Sequence, residues 1–131
     1  MGRRRMKIML DTTFIIDHLR DDAAARARLR AIHAAGDEPL VTGVVVSEAW
    51  AGAWPGDDQW LDRFLRYLEY IHPAPATARL AGTWRAEARA RGRTLGLADA
   101  FIAATAFDAG AAVLTRSVRD FALTPVRVET Y

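Results

Sequence analysis

The stretch LDTTFIID, residues 10–17, decides how the chain is read. It closes the apolar run KIML (7–10), turns sharply polar at Asp11, passes two threonines and resumes an apolar pattern. A short, continuously apolar run fits a strand buried on both faces. TTFIIDHLR then reads as a short helix with a threonine cap. Asp11 stands at the junction, and a buried charge is costly unless something compensates it. Either it caps the following helix or it holds something positive.

Outward from that junction the chain alternates short apolar runs with helical patterns. DDAAARARLRAIHAAG (21–36) has aspartates at its start and a glycine at its end, the signals of a helix's two termini. PLVT (39–42) is a strand. VVVSEAWAGAW (44–54) reads mostly as helix, with Glu48 near its start and Trp50 and Trp54 one turn apart. DDQWLDRFLRYLEY (57–70) spaces Trp60, Leu61, Phe64, Leu65 and Leu68 helically. YIH (70–72) is a brief strand. ATARLAGTWRAEARARG (76–92) and LADAFIAATAFDAG (97–110) are helices ended by glycine, the second rich in small residues and buried. AAVLT (111–115) and VRVET (126–130) complete the strands. This order predicts an α/β fold, with a mostly parallel sheet of about 4–5 strands between layers of helices.

The length of 131 residues fits one domain over 1–131, with residues 1–5 as a disordered basic tail. No apolar run is long enough to span a membrane. The absence of cysteine removes disulfides, thiolate metal sites and cysteine nucleophiles, and fits a cytoplasmic protein. Net charge is +2, and Lys7 is the single lysine among 18 basic residues. The arginines suit phosphate contacts through their planar fork, although arginine and alanine together are also what GC-rich coding favours.

Ligands of open parallel sheets bind at the strands' carboxyl ends. Asp11, Ser117 and Asp120 follow strands there, Glu48 follows the second strand, and Asp99 opens the LADAFIAATA helix among apolar neighbours. Taken singly, Asp11 reads as a cap, Glu48 as a favourable charge in a helix's first turn, and Asp120 as a turn residue. Together they form a carboxylate-rich constellation suited to Mg²⁺ or Mn²⁺. Such a site can stabilise both oxygens of a phosphodiester displacement. His18, His33 and His72 share no metal-ligand spacing.

MLDTTFIID, SEAW, LADAFIAATA and VLTRSVRDF resemble, in order and spacing, the motifs of PIN-domain proteins, most of all the VapC-type toxins of toxin–antitoxin pairs. The resemblance runs from Lys7 to about Val128. It implies a sandwich of helices around a parallel sheet and a metal-dependent endoribonuclease. Asp11, Glu48 and Asp99 match the family's first three acids, Thr115 its late threonine and Asp120 its later acid. Ser117 stands where the family usually has an amide or acid. By this resemblance Asp11, Glu48, Asp99 and Asp120 ligate the metal, with Thr115 and Ser117 completing the site. It also implies a homodimer and a VapB-like antitoxin lying in an apolar groove, for which Trp50 and Trp54 are candidates.

Arg85, Arg89, Arg91 and Arg93 precede Asp99, and Arg116 and Arg119 flank Ser117. They are candidates to lead RNA phosphates towards the acids, the alternative being a solvated helix face. Asp17, two turns beyond Asp11, is read as structural. Two other strand-end acid chemistries fit poorly. A receiver-type switch needs a lysine near the last strand, and an aspartyl phosphatase needs an acid where Thr13 stands. A PIN-like fold that binds RNA or a partner with weak or no nuclease activity stays open because of Ser117.

Overall fold

A computed structural model describes residues 4–131. Of the basic tail, residues 1–3 lie outside the described residues. Arg4 and Arg5 lead without regular structure to Met6, whose N–H donates to Asp37 Oδ1 at 2.9 Å.

Five strands form one sheet among the described residues: β1 (Lys7–Leu10), β2 (Glu38–Thr42), β3 (Glu69–Ile71), β4 (Ala111–Leu114) and β5 (Val128–Glu129). Their order is β3-β2-β1-β4-β5, and every pairing is parallel. Parallel neighbours need crossovers, and helices supply them: α1 (Thr12–Leu19) and α2 (Ala23–Ala35), then α3 (Gly43–Ala51) and α4 (Asp58–Arg66), then α5 (Pro75–Ala90) and α6 (Leu97–Asp108), with α7 (Val118–Phe121) before β5. The α/β/α fold class read from the sequence is the one observed.

The chain fills the sheet on one side of β1, then returns to place β4 on the other side. The crevice between the carboxyl ends of β1 and β4 is therefore the topological switch point, where open α/β sheets bind ligands. β1 is central because Ile8, Met9 and Leu10 are wholly buried. α6 packs closely because Ala100, Ala103, Ala104 and Ala106 are small as well as buried. Gly36 ends α2 at φ 73°, a left-handed conformation that side chains with a Cβ resist.

Several local expectations change. α1 is capped by Asp11, not by a threonine: the Asp11 backbone is extended, and its Oδ1 accepts from Thr12 N–H at 2.8 Å. α3 begins at Gly43, directly after β2, so Glu48 lies in its second turn rather than near its start. α3 ends at Ala51 with Gly52 as cap, which places Trp54 beyond the helix and not one turn from Trp50 along it. α7 is a single turn with no apolar periodicity to announce it. β5 is shorter than VRVET suggests.

Candidate functional site

Asp11 is the anchor. Its N–H donates to the Leu114 carbonyl at 3.1 Å, joining the ends of β1 and β4. Its side chain is 4% exposed. Oδ2 accepts from the Thr115 hydroxyl at 2.6 Å and the Thr13 hydroxyl at 3.1 Å, while Oδ1 receives Thr12 N–H. Three neutral donors thus hold a buried carboxylate, and none of the ion pairs among the described residues involves it. Burial pushes its pKa up, those hydrogen bonds pull it down, and the charge of Glu48 pushes it up again.

Glu48 reaches the same crevice from α3, where its Oε1 accepts from the Thr12 hydroxyl at 2.7 Å. Asp99 lies in the first turn of α6 and is half-buried. Its pKa is pushed up to about 6, first by burial and then by the charges of Asp120, Asp11 and Glu48. The other three acids named from the sequence, each on a separate segment, therefore act on this one carboxyl group. Asp120 is exposed in α7. Thr115 is fully buried, and besides Asp11 it receives Ser117 N–H at 2.8 Å. Ser117 is half-buried and opens α7.

The sequence left two residues of this network without a role. Thr12 and Thr13 hold Glu48 and Asp11. Their signal was present in the two hydroxyls immediately after the strand-end acid, but the capping reading absorbed it.

The cations sort differently. Arg85, Arg89 and Arg93 share a small cleft of about 70 Å³ with Thr94 and Leu95. Arg85 Nε donates to the Leu95 carbonyl at 3.3 Å, just ahead of α6 and Asp99. Arg91, the residue after α5, lies outside that cleft. Arg116 does not stand open towards a phosphate. It pairs with Asp22 at 2.7 Å and Asp17 at 3.2 Å, and lies 4.4 Å above the Tyr131 ring. Asp17 also accepts from the Tyr131 hydroxyl at 2.7 Å, which fits its structural reading.

Trp84 is core, whereas Trp50 and Trp54 are 44% and 64% exposed. Trp50 lines a cleft of about 410 Å³ with Val46, Leu65 and Tyr70. The Trp54 ring lies 3.3 Å from the Arg20 guanidinium, which pairs with Asp57 at 2.9 Å. Of the histidines, His18 is half-buried against Trp60 and Phe64, and burial lowers its pKa.

Among the described residues no three acidic or imidazole side chains are gathered into a ready-made metal cage. The donor chemistry nevertheless suits a hard divalent cation. It is all oxygen, no cationic side chain among the described residues offsets it, and its charges disfavour one another's ionisation. Mg²⁺ usually keeps several waters and takes one or two carboxylates, so it needs no closed cage.

This fold belongs to a known class. Residues 8–124 match the family model described as PIN domain, and the chain belongs to that family. Its relatives include the Ribonuclease VapC19 of Mycobacterium tuberculosis, 31% identical over 117 residues, which are 89% of this chain and 94% of that protein. Among solved structures, VapBC2 from Rickettsia felis bound to a promoter DNA fragment superposes with a TM-score of 0.83 at 23% identity. The match covers 96% of this chain and 99% of that one. A toxin–antitoxin complex from Klebsiella pneumoniae matches with a TM-score of 0.76 at 25% identity, over 93% and 96% of the two chains.

Proposed function

We propose that this chain is a metal-dependent endoribonuclease, the toxin of a VapBC-type pair. The observation that carries the proposal is the coupling of Asp11, Glu48, Asp99 and Asp120 at the switch point, with the Asp99 pKa pushed up to about 6. The ribonuclease relative supports the choice of RNA as substrate.

Asp11, Glu48, Asp99 and Asp120 would hold Mg²⁺ or Mn²⁺. When bound, the ion supplies the positive charge these acids lack and acidifies water for in-line attack on a phosphodiester. Thr115 and Thr13 fix Asp11 Oδ2, so the carboxylate presents one orientation to the crevice. Thr12 fixes Glu48 Oε1 and leaves Oε2 unbound by that contact. Ser117 reinforces Thr115 through its backbone and offers a hydroxyl to water. Arg85, Arg89 and Arg93 guide the RNA backbone towards Asp99, in cytoplasm where RNA is at hand. No helix among the described residues is long and apolar enough to cross a membrane.

An antitoxin of the VapB kind is the proposed partner, with the cleft at Trp50 and the exposed face of Trp54 as its docking surface. A homodimer is the proposed assembly.

Incubation with single-stranded RNA in Mg²⁺, in Mn²⁺ and in EDTA tests the activity. Cleavage in the first two and none in EDTA is the expected result. Ser117 in the late motif and the lack of a ready-made cage among the described residues favour one alternative, a PIN-fold protein that binds RNA or a partner without cutting. Tight RNA binding with no cleavage in either metal would select it.

A further inference from the structure

The end of the sheet opposite the acids carries the reverse charge. Parallel strands all begin at one edge, and here that edge presents Lys7 at the start of β1 and Arg127 just before β5. With Arg4, Arg5 and the turn at Gly110 they surround an open cleft of about 620 Å³, in which Glu38 is the lone carboxylate. Arg5, Lys7 and Arg127 are exposed. None of them joins an ion pair among the described residues, whereas Arg20, Arg26, Arg28, Arg66 and Arg116 each have an acidic partner. Cations clustered in excess of the carboxylates beside them raise the local positive potential and draw in anions.

We infer that this basal cleft is a second phosphate-binding site, gripping the backbone of the RNA whose cleavage is proposed at the opposite rim. The identity of the polyanion rests on that reading. Guanidinium forks match phosphate oxygens in pairs. The cleft has no aromatic side chain on its walls, so it suits the sugar-phosphate chain rather than stacked bases. The rim itself repels phosphate, so the force that retains a long RNA must come from elsewhere on the surface. Lys7 and Asp11 lie four residue steps apart along β1, about 13 Å at the usual rise per strand residue. A dinucleotide, with a single internucleotide phosphate, engages one end only, while a folded RNA reaches both.

The test replaces Arg5, Lys7 and Arg127 together by alanine in the full chain. A second variant, Arg5→Lys with Arg127→Lys, retains the charge. Binding of a fluorescent folded RNA hairpin is titrated in EDTA across salt concentrations, so that turnover and metal contacts are absent. Each single-strand phosphate contact contributes about −0.7 to the slope of log affinity against log salt, so the triple variant should lose about 2 units. At 0.1 M salt that slope corresponds to about a hundredfold weaker binding, converging with wild type near 1 M. The lysine variant should keep the slope, and cleavage of a dinucleotide should be unchanged in all variants. An unchanged slope in the alanine variant overturns the site. Equal loss with double-stranded DNA overturns its assignment to RNA. A wild type that shows the salt-dependent binding but cuts no RNA supports this site while removing the nuclease reading.

Discussion

Replacing Asp99 by asparagine should stabilise the metal-free protein while abolishing cleavage. The Asp99 carboxyl has its pKa pushed from 3.8 up to about 6 by burial and by Asp120, Asp11 and Glu48. A raised pKa in an acid means that the folded state holds its proton more tightly than the unfolded state does. Between those two values the folded chain binds more protons, so stability falls as pH rises through the window and the loss is complete above it. Taken at face value, about two pH units correspond to about 3 kcal/mol. Asp99 is only half-buried, and solvent screening reduces that to about 1–2 kcal/mol. For a chain of this size the gain in the asparagine variant is about 3–8 °C in Tm.

Thermal melts in EDTA from pH 4 to pH 8 measure it. The variant should exceed wild type by most of this margin at pH 7.5, and the difference should shrink several-fold by pH 4, where the wild-type carboxyl is protonated in the fold. Adding Mg²⁺ should raise the wild-type Tm and leave the variant nearly unmoved, because a ligand stabilises only the state that binds it. A metal-free variant less stable than wild type at pH 7.5, or a difference independent of pH, refutes the repulsion inferred here and makes Asp99 a structural residue.

Three further outcomes follow from single contacts. Thr12→Val removes the hydroxyl that holds Glu48 Oε1 and should lower kcat about tenfold with little change in Tm, while Thr12→Ser restores it; steady-state cleavage rates decide. Arg116→Ala frees Asp17 and Asp22 and loosens the link from Thr115 into α7, so kcat should fall while the RNA-binding salt slope stays the same. A flattened slope would instead return Arg116 to phosphate contact. Replacing both Arg89 and Arg93 by alanine should flatten that slope by about 1.4 units whatever the RNA sequence, measured in EDTA.

Much of the architecture was legible because burial leaves a compositional trace. KIML is apolar at every position after Lys7, since β1 lies at the centre of the sheet and is covered on both faces. LADAFIAATA is rich in alanine because α6 is buried along most of its length. The acids drew notice because strand ends and helix starts lie along one edge of a parallel sheet, and Asp120, Asp11 and Glu48 all raise the Asp99 pKa. What stayed hidden depended on local geometry without a pattern. Three valines heading α3 look like a strand, and the helix starts at Gly43 without a side-chain cap. Glu48 therefore sits deeper in the helix than the sequence suggests. Arg116 looked like a phosphate contact because it adjoins Thr115, yet its partners come from 94 and 99 residues away, and no local spacing encodes such a pair.

The two readings of Asp11 are not rivals in the folded chain. Its Oδ1 caps α1 through Thr12 N–H, while Oδ2 turns to Thr13 and Thr115 at the crevice. One carboxylate can do both because α1 starts directly after β1, with no loop between them. The cap holds Oδ1, and the Thr13 and Thr115 hydroxyls hold Oδ2, so both oxygens of the side chain are fixed. The same turn carries Thr12, whose backbone is held by Asp11 and whose hydroxyl holds Glu48. LDTT is thus the smallest segment that both ends the strand and orients two of the four acids. Lengthening it by one residue would keep every acid in the sequence and still take the crevice apart.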